Sequence, residues 1–194
     1  MRLFKFLLRA KQSKGHGIHS PFAFEIITNV LNSPYSYYAV TDIPDNLPYY
    51  AVQSKRIKKF NHLSFRLVNY CKVTNILEIN PGDGYNTLYI KSPSSKINYH
   101  SISNIGLYEN IANHKFDAIF INIDGEAESI PSIDLLLDIS HENTFWVINP
   151  IKTKESKHFC KLIVNHESVT VSFDTNNTLV VFLRKSYHKH HYFV

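Results

Sequence analysis

Residues 76–90 read ILEINPGDGYNTLYI. A short apolar run ends in Glu78, glycines follow at Gly82 and Gly84, and a helix-like segment begins at Tyr85. A carboxylate at a strand end, a loop with few Cβ atoms and a helix N-terminus together let backbone approach a small ligand closely. Which ligand depends on the glycine spacing. A pyrophosphate calls for G-x-G-x-x-G, but the third glycine position holds Thr87. S-adenosylmethionine has no phosphate; it needs close backbone approach to its amino-acid end and a polar group near its ribose. Two glycines and Glu78 suit that ligand better.

Other residue types offer chemistry but lack its spacing. His16 and His19 have no clustered partners and read as loop structure. His188, His190 and His191 lie in a tail, YHKHHYFV, read as a solvated terminal segment. No metal site is expected. Neither Cys71 nor Cys160 has a motif around it, and no Ser-His-Asp pairing can be argued. Two distant cysteines exclude a disulfide scaffold and point to a reducing, cytoplasmic compartment. The formal charge of +5 has no run of like charges behind it, so no nucleic-acid partner is indicated. Lys55, Arg56, Lys58 and Lys59 read as a solvated helix face. No apolar stretch is long enough to span a bilayer.

The elements that must position the loop fall into two parts. Residues 1–72 read as a helical extension and residues 73–194 as an α/β domain, a single globular unit overall. In the first part, MRLFKFLLRAKQSK places Leu3, Phe4, Leu7 and Leu8 on one helical stripe. Docking on its own domain or a partner subunit is expected, with contact at an anionic membrane surface as the alternative; a homo-oligomer is compatible with this. Ser20 and Pro21 open a helix carrying Phe22, Ile26, Ile27 and Val30. Residues 34–50 form an irregular loop with Tyr35, Tyr37, Tyr38, Tyr49 and Tyr50, and a long helix follows with Ile57, Phe60, Phe65 and Val68 buried. In the second part, strands at 75–80, 96–103, 116–123 and 144–151 alternate with helical patterns, and two β runs flank Asp174-Thr175-Asn176-Asn177 as a hairpin. The expectation is a doubly wound, mostly parallel Rossmann-like sheet of about six strands, with an antiparallel hairpin at its end. In such sheets ligands bind beyond the carboxyl ends of the strands where the order reverses.

E-x-x-x-G-x-G after a strand resembles the first motif of class I S-adenosylmethionine-dependent methyltransferases. KGHGIHSPFAFE, LEINPGDGYNTLYI, FDAIFINIDG and VTVSFDTNNTLVVFLRK, in this order, are similar to a group of small methyltransferase-like proteins with an HGIHSPF segment near the start. The resemblance covers nearly the whole chain. It implies S-adenosylmethionine as cofactor, held by Glu78, Asn80, Gly82, Asp83, Gly84, Tyr85, Ser103, Asn104 and Asn122, and a small-molecule acceptor. Asp124 and the tyrosine-rich loop are the candidates for a general base.

Four departures from that pattern bear on activity. Asn80 replaces the first glycine. Ser101, Ser103 and Asn104 stand where a ribose-binding carboxylate is usual. Only NIGLYENIANHK separates Ser103 from Phe116, room for one crossover of about 10–12 residues, so the third strand of the family is expected to be missing. Asn122 and Asn149 replace acidic residues that could ligate a divalent cation. Two functions therefore stand: a methyltransferase-like enzyme with a degenerate cofactor site, or a non-catalytic relative using the scaffold for binding or assembly. The departures favour the second; a nucleotide-binding enzyme of another kind stands behind both.

Overall fold

The computed structural model describes residues 2–34, 37, 42–43, 55–103, 111, 113–123 and 130–194, except for the side chains of 2–4 and 55–58. Alternating apolar residues in each strand divide the core into two clusters, one on each face of a seven-stranded sheet. The strands are β1 (Asn75–Ile79), β2 (Asn98–Ile102), β3 (Phe116–Asn122), β4 (Ser140–Asn149), β5 (Val171–Asp174), β6 (Leu179–Phe182) and β7 (His190–Phe193). Their order across the sheet is β2-β1-β3-β4-β6-β5-β7. β1 pairs in parallel with β2 and β3, and β3 in parallel with β4; β6 runs antiparallel to β4 and β5. The order thus reverses at β1, and the crevice predicted by that reversal lies beyond the carboxyl ends of β1 and β3.

One face is covered by α2 (Pro21–Glu25), the π-helical turn Ile26–Leu31 that continues it, and α3 (Lys55–Cys71). Ser20 Oγ accepts from Ala23 N at 3.2 Å and Pro21 occupies the first turn, as the sequence predicts. Ile26, Ile27 and Val30 are buried with Leu63, Leu67 and Val68 of α3 against Ile76, Phe120, Phe145 and Phe182 of the strands. Phe22 packs edge-on against Phe182 and stacks on Tyr187. α4 (Tyr85–Lys91) rests on α3, with Tyr89 buried beside Phe65. The other face is covered by α5 (Ile133–Asp138) and α6 (Lys154–Asn165), whose Leu136, Phe159 and Ile163 pack on Leu77, Ile119, Trp146 and Val181. Leu162 on the same helix is 48% exposed, and Cys160 takes an inward position.

The sheet has seven strands rather than about six, and the extra one is not the family's third. It is β7, formed by the tail expected to be solvated. Tyr192 and Val194 are buried, and β7 pairs in parallel with β5 at the far edge. Apolar Tyr192 stacked on Phe173 gives the tail its reason to order. At the opposite edge stands β2, outermost among the described residues; 104–110, where the third strand was expected to be missing, lie outside them.

α1 (Arg2–Gln12) lies against β7. Gln12 Oε1 accepts from Phe193 N at 2.8 Å, and Arg9 donates to the Val194 carbonyl and to the Asp174 carboxylate, both at 2.9 Å. These bonds satisfy backbone groups on the open edge of the sheet, which otherwise templates pairing with another chain. The expected docking on its own domain occurs, but through the polar face of the helix. Leu7, from the apolar stripe, is 58% exposed; the side chains of Leu3 and Phe4 lie outside the described residues.

Asp117 sits at the amino end of β3, away from the crevice. Its carboxylate accepts from Thr74 N and Asn75 N, both at 2.8 Å, and His141 Nε2 lies 3.0 Å away. Burial raises its pKa, but the amides of Asn75 and Thr74 with His141 outweigh this and hold it below the usual carboxylate range. A depressed folded pKa contributes stability above the unfolded value and loses it as pH falls through the folded one. Asp117→Asn is therefore expected to lower the urea midpoint at neutral pH, with the gap to wild type closing below about pH 4. A gap constant from pH 7 to pH 3 would contradict this.

Candidate functional site

After Ile79 the chain turns through three left-handed residues: Asn80 at φ 56°, Gly82 at 62° and Gly84 at 76°. Asn tolerates this conformation better than most side-chain-bearing residues, so the turn survives replacement of the first glycine. Asn80 N donates to Ile102 O at 2.8 Å and Asn80 Nδ2 to Asn122 O at 3.3 Å, so Asn80 ties the loop to both neighbouring strands. The two glycines serve different ends. A Cβ on Gly82 would lie 3.3 Å from Asn122 Nδ2, whereas one on Gly84 would meet open space. Gly82 permits close approach as well as the turn; Gly84 supplies the backbone conformation that starts α4. Asp83 Oδ1 accepts from Tyr85 N at 3.1 Å and fixes the first turn of that helix.

Glu78 is buried at the end of β1. It accepts from Thr87 Oγ1 at 2.6 Å, Tyr99 Oη at 2.7 Å and Asn86 Nδ2 at 3.0 Å. Its partners are thus side chains of α4 and β2. Burial, with the Glu78 carboxylate beside it, pushes the Tyr99 hydroxyl well up, so it stays protonated and donates. Asn86 spends its nitrogen on Glu78; its buried Oδ1 has no partner among the described residues.

Above the loop lies a cavity of about 660 Å³. Glu78, Asn80, Gly82, Asp83, Ser103 and Asn122 all line it, so the strand reversal brings together six residues chosen from the sequence. Gly84 and Tyr85 shape the turn without lining the cavity, and Asn104 and Asp124 lie outside the described residues. So do Tyr35, Tyr38, Tyr49 and Tyr50; Tyr37 packs on Phe65.

The remaining walls come from residues that the sequence reading did not place in the site. Phe60 and Asn61 arrive from α3, Asn86 from α4, and Pro150, Lys152 and Asn177 from the loops after β4 and β5. Asn149 Nδ2 donates to Asn177 O at 3.0 Å and Thr178 Oγ1 at 2.8 Å, closing that side. A signal for Asn61 existed: it falls between Ile57 and Phe65 at helical spacing, a polar residue on an apolar stripe. Lys152 and Asn177 carried no such signal. Burial pushes the thiols of Cys71 and Cys160 up to about 12, so neither is a nucleophile at neutral pH.

This sheet, with its hairpin end and a crevice at the first loop, is the methyltransferase-type Rossmann-like fold. Solved structures share it. An O-methyltransferase from Bacillus cereus, crystallised with S-adenosylhomocysteine, matches at TM-score 0.53 and 16% identity over 77% of this chain and 92% of that one. The O-methyltransferase TomG from Streptomyces achromogenes, involved in tomaymycin synthesis and crystallised with S-adenosylmethionine, matches at TM-score 0.53 and 13% identity over 77% and 91%. A Podospora anserina methyltransferase bound to S-adenosylhomocysteine matches at TM-score 0.53 and 11% identity over 87% and 97%. Likeness at such identities establishes the fold. No family model and no curated protein matches the sequence.

Proposed function

We propose that the cavity binds S-adenosylmethionine and that the protein is a methyltransferase acting on a small molecule. The observation that carries this reading is the open space beside Gly82: Asn80 turns its amide to the Asn122 carbonyl, and a cavity of about 660 Å³ remains. The residues fit the ligand. Gly82 brings bare backbone to the cavity wall, and the unpaired Oδ1 of Asn86 is an acceptor suited to the ammonium of an amino acid. Ser103, just past the end of β2, lines the cavity and offers a hydroxyl to the ribose.

S-adenosylmethionine supplies an electrophilic methyl group; the chain's part is to hold and orient. Glu78 fixes Asn86 and Thr87, and through Tyr99 it joins α4 to β2, so the cradle is rigid before a ligand arrives. Asn149, bonded to Asn177 and Thr178, holds the opposite wall at a fixed distance. Positioning of nucleophile and methyl group is then the main contribution. Asn122 and Asn149 are neutral amides at the strand ends, a poor donor set for a hard divalent cation, so no step is assigned to a metal.

A second reading, a non-catalytic binding protein on the same scaffold, is favoured by one observation. Among the described residues the buried carboxylate of the cavity, Glu78, is committed to three side chains, while Asp83 accepts from the Tyr85 amide through one oxygen. Glu78, engaged through both oxygens, is not free to serve as a general base.

Calorimetry with S-adenosylmethionine and S-adenosylhomocysteine separates these outcomes. The expected result is binding with Kd on the order of 10 µM, abolished by Gly82→Val, whose side chain would crowd Asn122. No heat and no thermal stabilisation at millimolar ligand would overturn the cofactor assignment. Binding with no methyl transfer to any of a panel of phenols, amines and carboxylates would select the second reading.

A further inference from the structure

We propose that α1 is a membrane-surface helix: its outward apolar face binds an anionic phospholipid surface while its polar face stays docked on β7. A surface helix of a globular protein normally turns its apolar side inward; in α1 Leu8 is half-buried, but Phe6 and Leu7 turn outward. Arg9 and Gln12 hold β7 through hydrogen bonds, and Lys5 lies over the Phe193 ring at 5.0 Å. Phe6 is 66% exposed and Leu7 58% exposed. Phe24, 46% exposed, stands over Gly15 in the turn that follows α1 and extends the apolar surface.

Charge selects the occupant. Arg2, Lys5, Arg9, Lys11 and Lys14 precede the first acidic residue, Glu25, and account for the whole formal excess of +5. Over the rest of the chain Lys and Arg balance the 16 Asp and Glu. Among the described side chains of these five, Arg9 is the one paired with a carboxylate, that of Asp174. Lys11 follows Leu7 at helical spacing within α1, and Lys14 stands in the turn just after the helix; both are exposed. Leu7 therefore shares a face with Lys11, and Lys14 follows close by, an arrangement that inserts shallowly while lysine stems reach back to headgroups. Among the described residues no helix is long and apolar enough to cross a membrane, so the contact is with the surface.

Sedimentation of the full chain with phospholipid vesicles tests this. Vesicles containing phosphatidylglycerol are expected to bind at least about tenfold more tightly than phosphatidylcholine alone, and added salt should weaken the difference. The double variant Phe6→Ser/Leu7→Ser, with an unchanged melting temperature, should lose about tenfold in binding. Lys11→Glu/Lys14→Glu should remove the preference for anionic lipid and provides an independent arm. Failure of wild type to bind anionic vesicles at low salt overturns the proposal, as does full retention of binding in both variants. Concentration-dependent self-association without vesicle binding, broken by the Phe6/Leu7 pair of substitutions, would assign the face to a second copy of the chain and also overturn it.

Discussion

Glu78→Ala is expected to abolish binding of S-adenosylmethionine and to destabilise the fold by about 3–5 kcal/mol, as three half-buried neutral donors lose a partner at about 1–3 kcal/mol each. Three donors converge on this carboxylate: Thr87, Tyr99 and Asn86. Without it each loses a partner inside the protein, and an unsatisfied buried donor carries a penalty of about 1–3 kcal/mol. The effects on stability and ligand have a common origin. Asn86 is oriented by Glu78, and its free Oδ1 is the acceptor we assign to the ligand. For a chain of this size the loss corresponds to a fall in melting temperature of roughly 6–20 °C. Glu78→Gln keeps the volume and one acceptor oxygen, so about half the loss is expected. Calorimetric unfolding with ligand titration on the same samples measures both effects. If Glu78→Ala melts within about 2 °C of wild type, the carboxylate is not the tie described above.

Trp146→Ala is expected to remove about 3–5 kcal/mol, the usual range for emptying a large aromatic site. Trp146 is fully buried in β4, at the centre of the sheet, and packs among Leu77, Ile119, Leu136, Ile163 and Val181. Its indole N–H donates to Ser140 Oγ at 2.9 Å, and Ser140 Oγ donates to Leu136 O at 2.6 Å, so the ring also anchors α5 to the sheet. Trp146→Phe isolates the polar part: most of the ring volume remains, the donor is lost, and about 1 kcal/mol is expected. Because Trp146 is the single tryptophan, circular dichroism must follow unfolding in both variants. Equal losses for Ala and Phe would mean that the hydrogen bond, rather than packing, dominates this site.

The first strand and its loop were legible because local chemistry specifies them: an apolar run, Glu78, then residues able to adopt left-handed backbone. Asn80 stands out in the sequence as a departure from the first glycine, yet it spans β1 and β3 through the Asn122 carbonyl. No local rule predicts that bond, because its acceptor lies on a strand made adjacent only by a long crossover. Ser103 and Asn122, chosen from the sequence, line the cavity beside the loop, because the strand-reversal rule does not depend on side-chain detail. Lys152 and Asn177 were missed for the converse reason, since exposed polar residues in loops look alike until a neighbour defines a cavity.

By itself, the sequence determined the alternation of strands and helices, the position of the turn after Ile79 and the buried stripe of Ile26, Ile27 and Val30, all set by periodicity and backbone preference within a few residues. Tertiary structure alone decided that the tail becomes β7, that α1 docks by its polar face, and that Glu78 bonds to side chains of α4 and β2. Each depends on groups far apart in sequence whose pairing gains free energy only once the sheet has assembled around them.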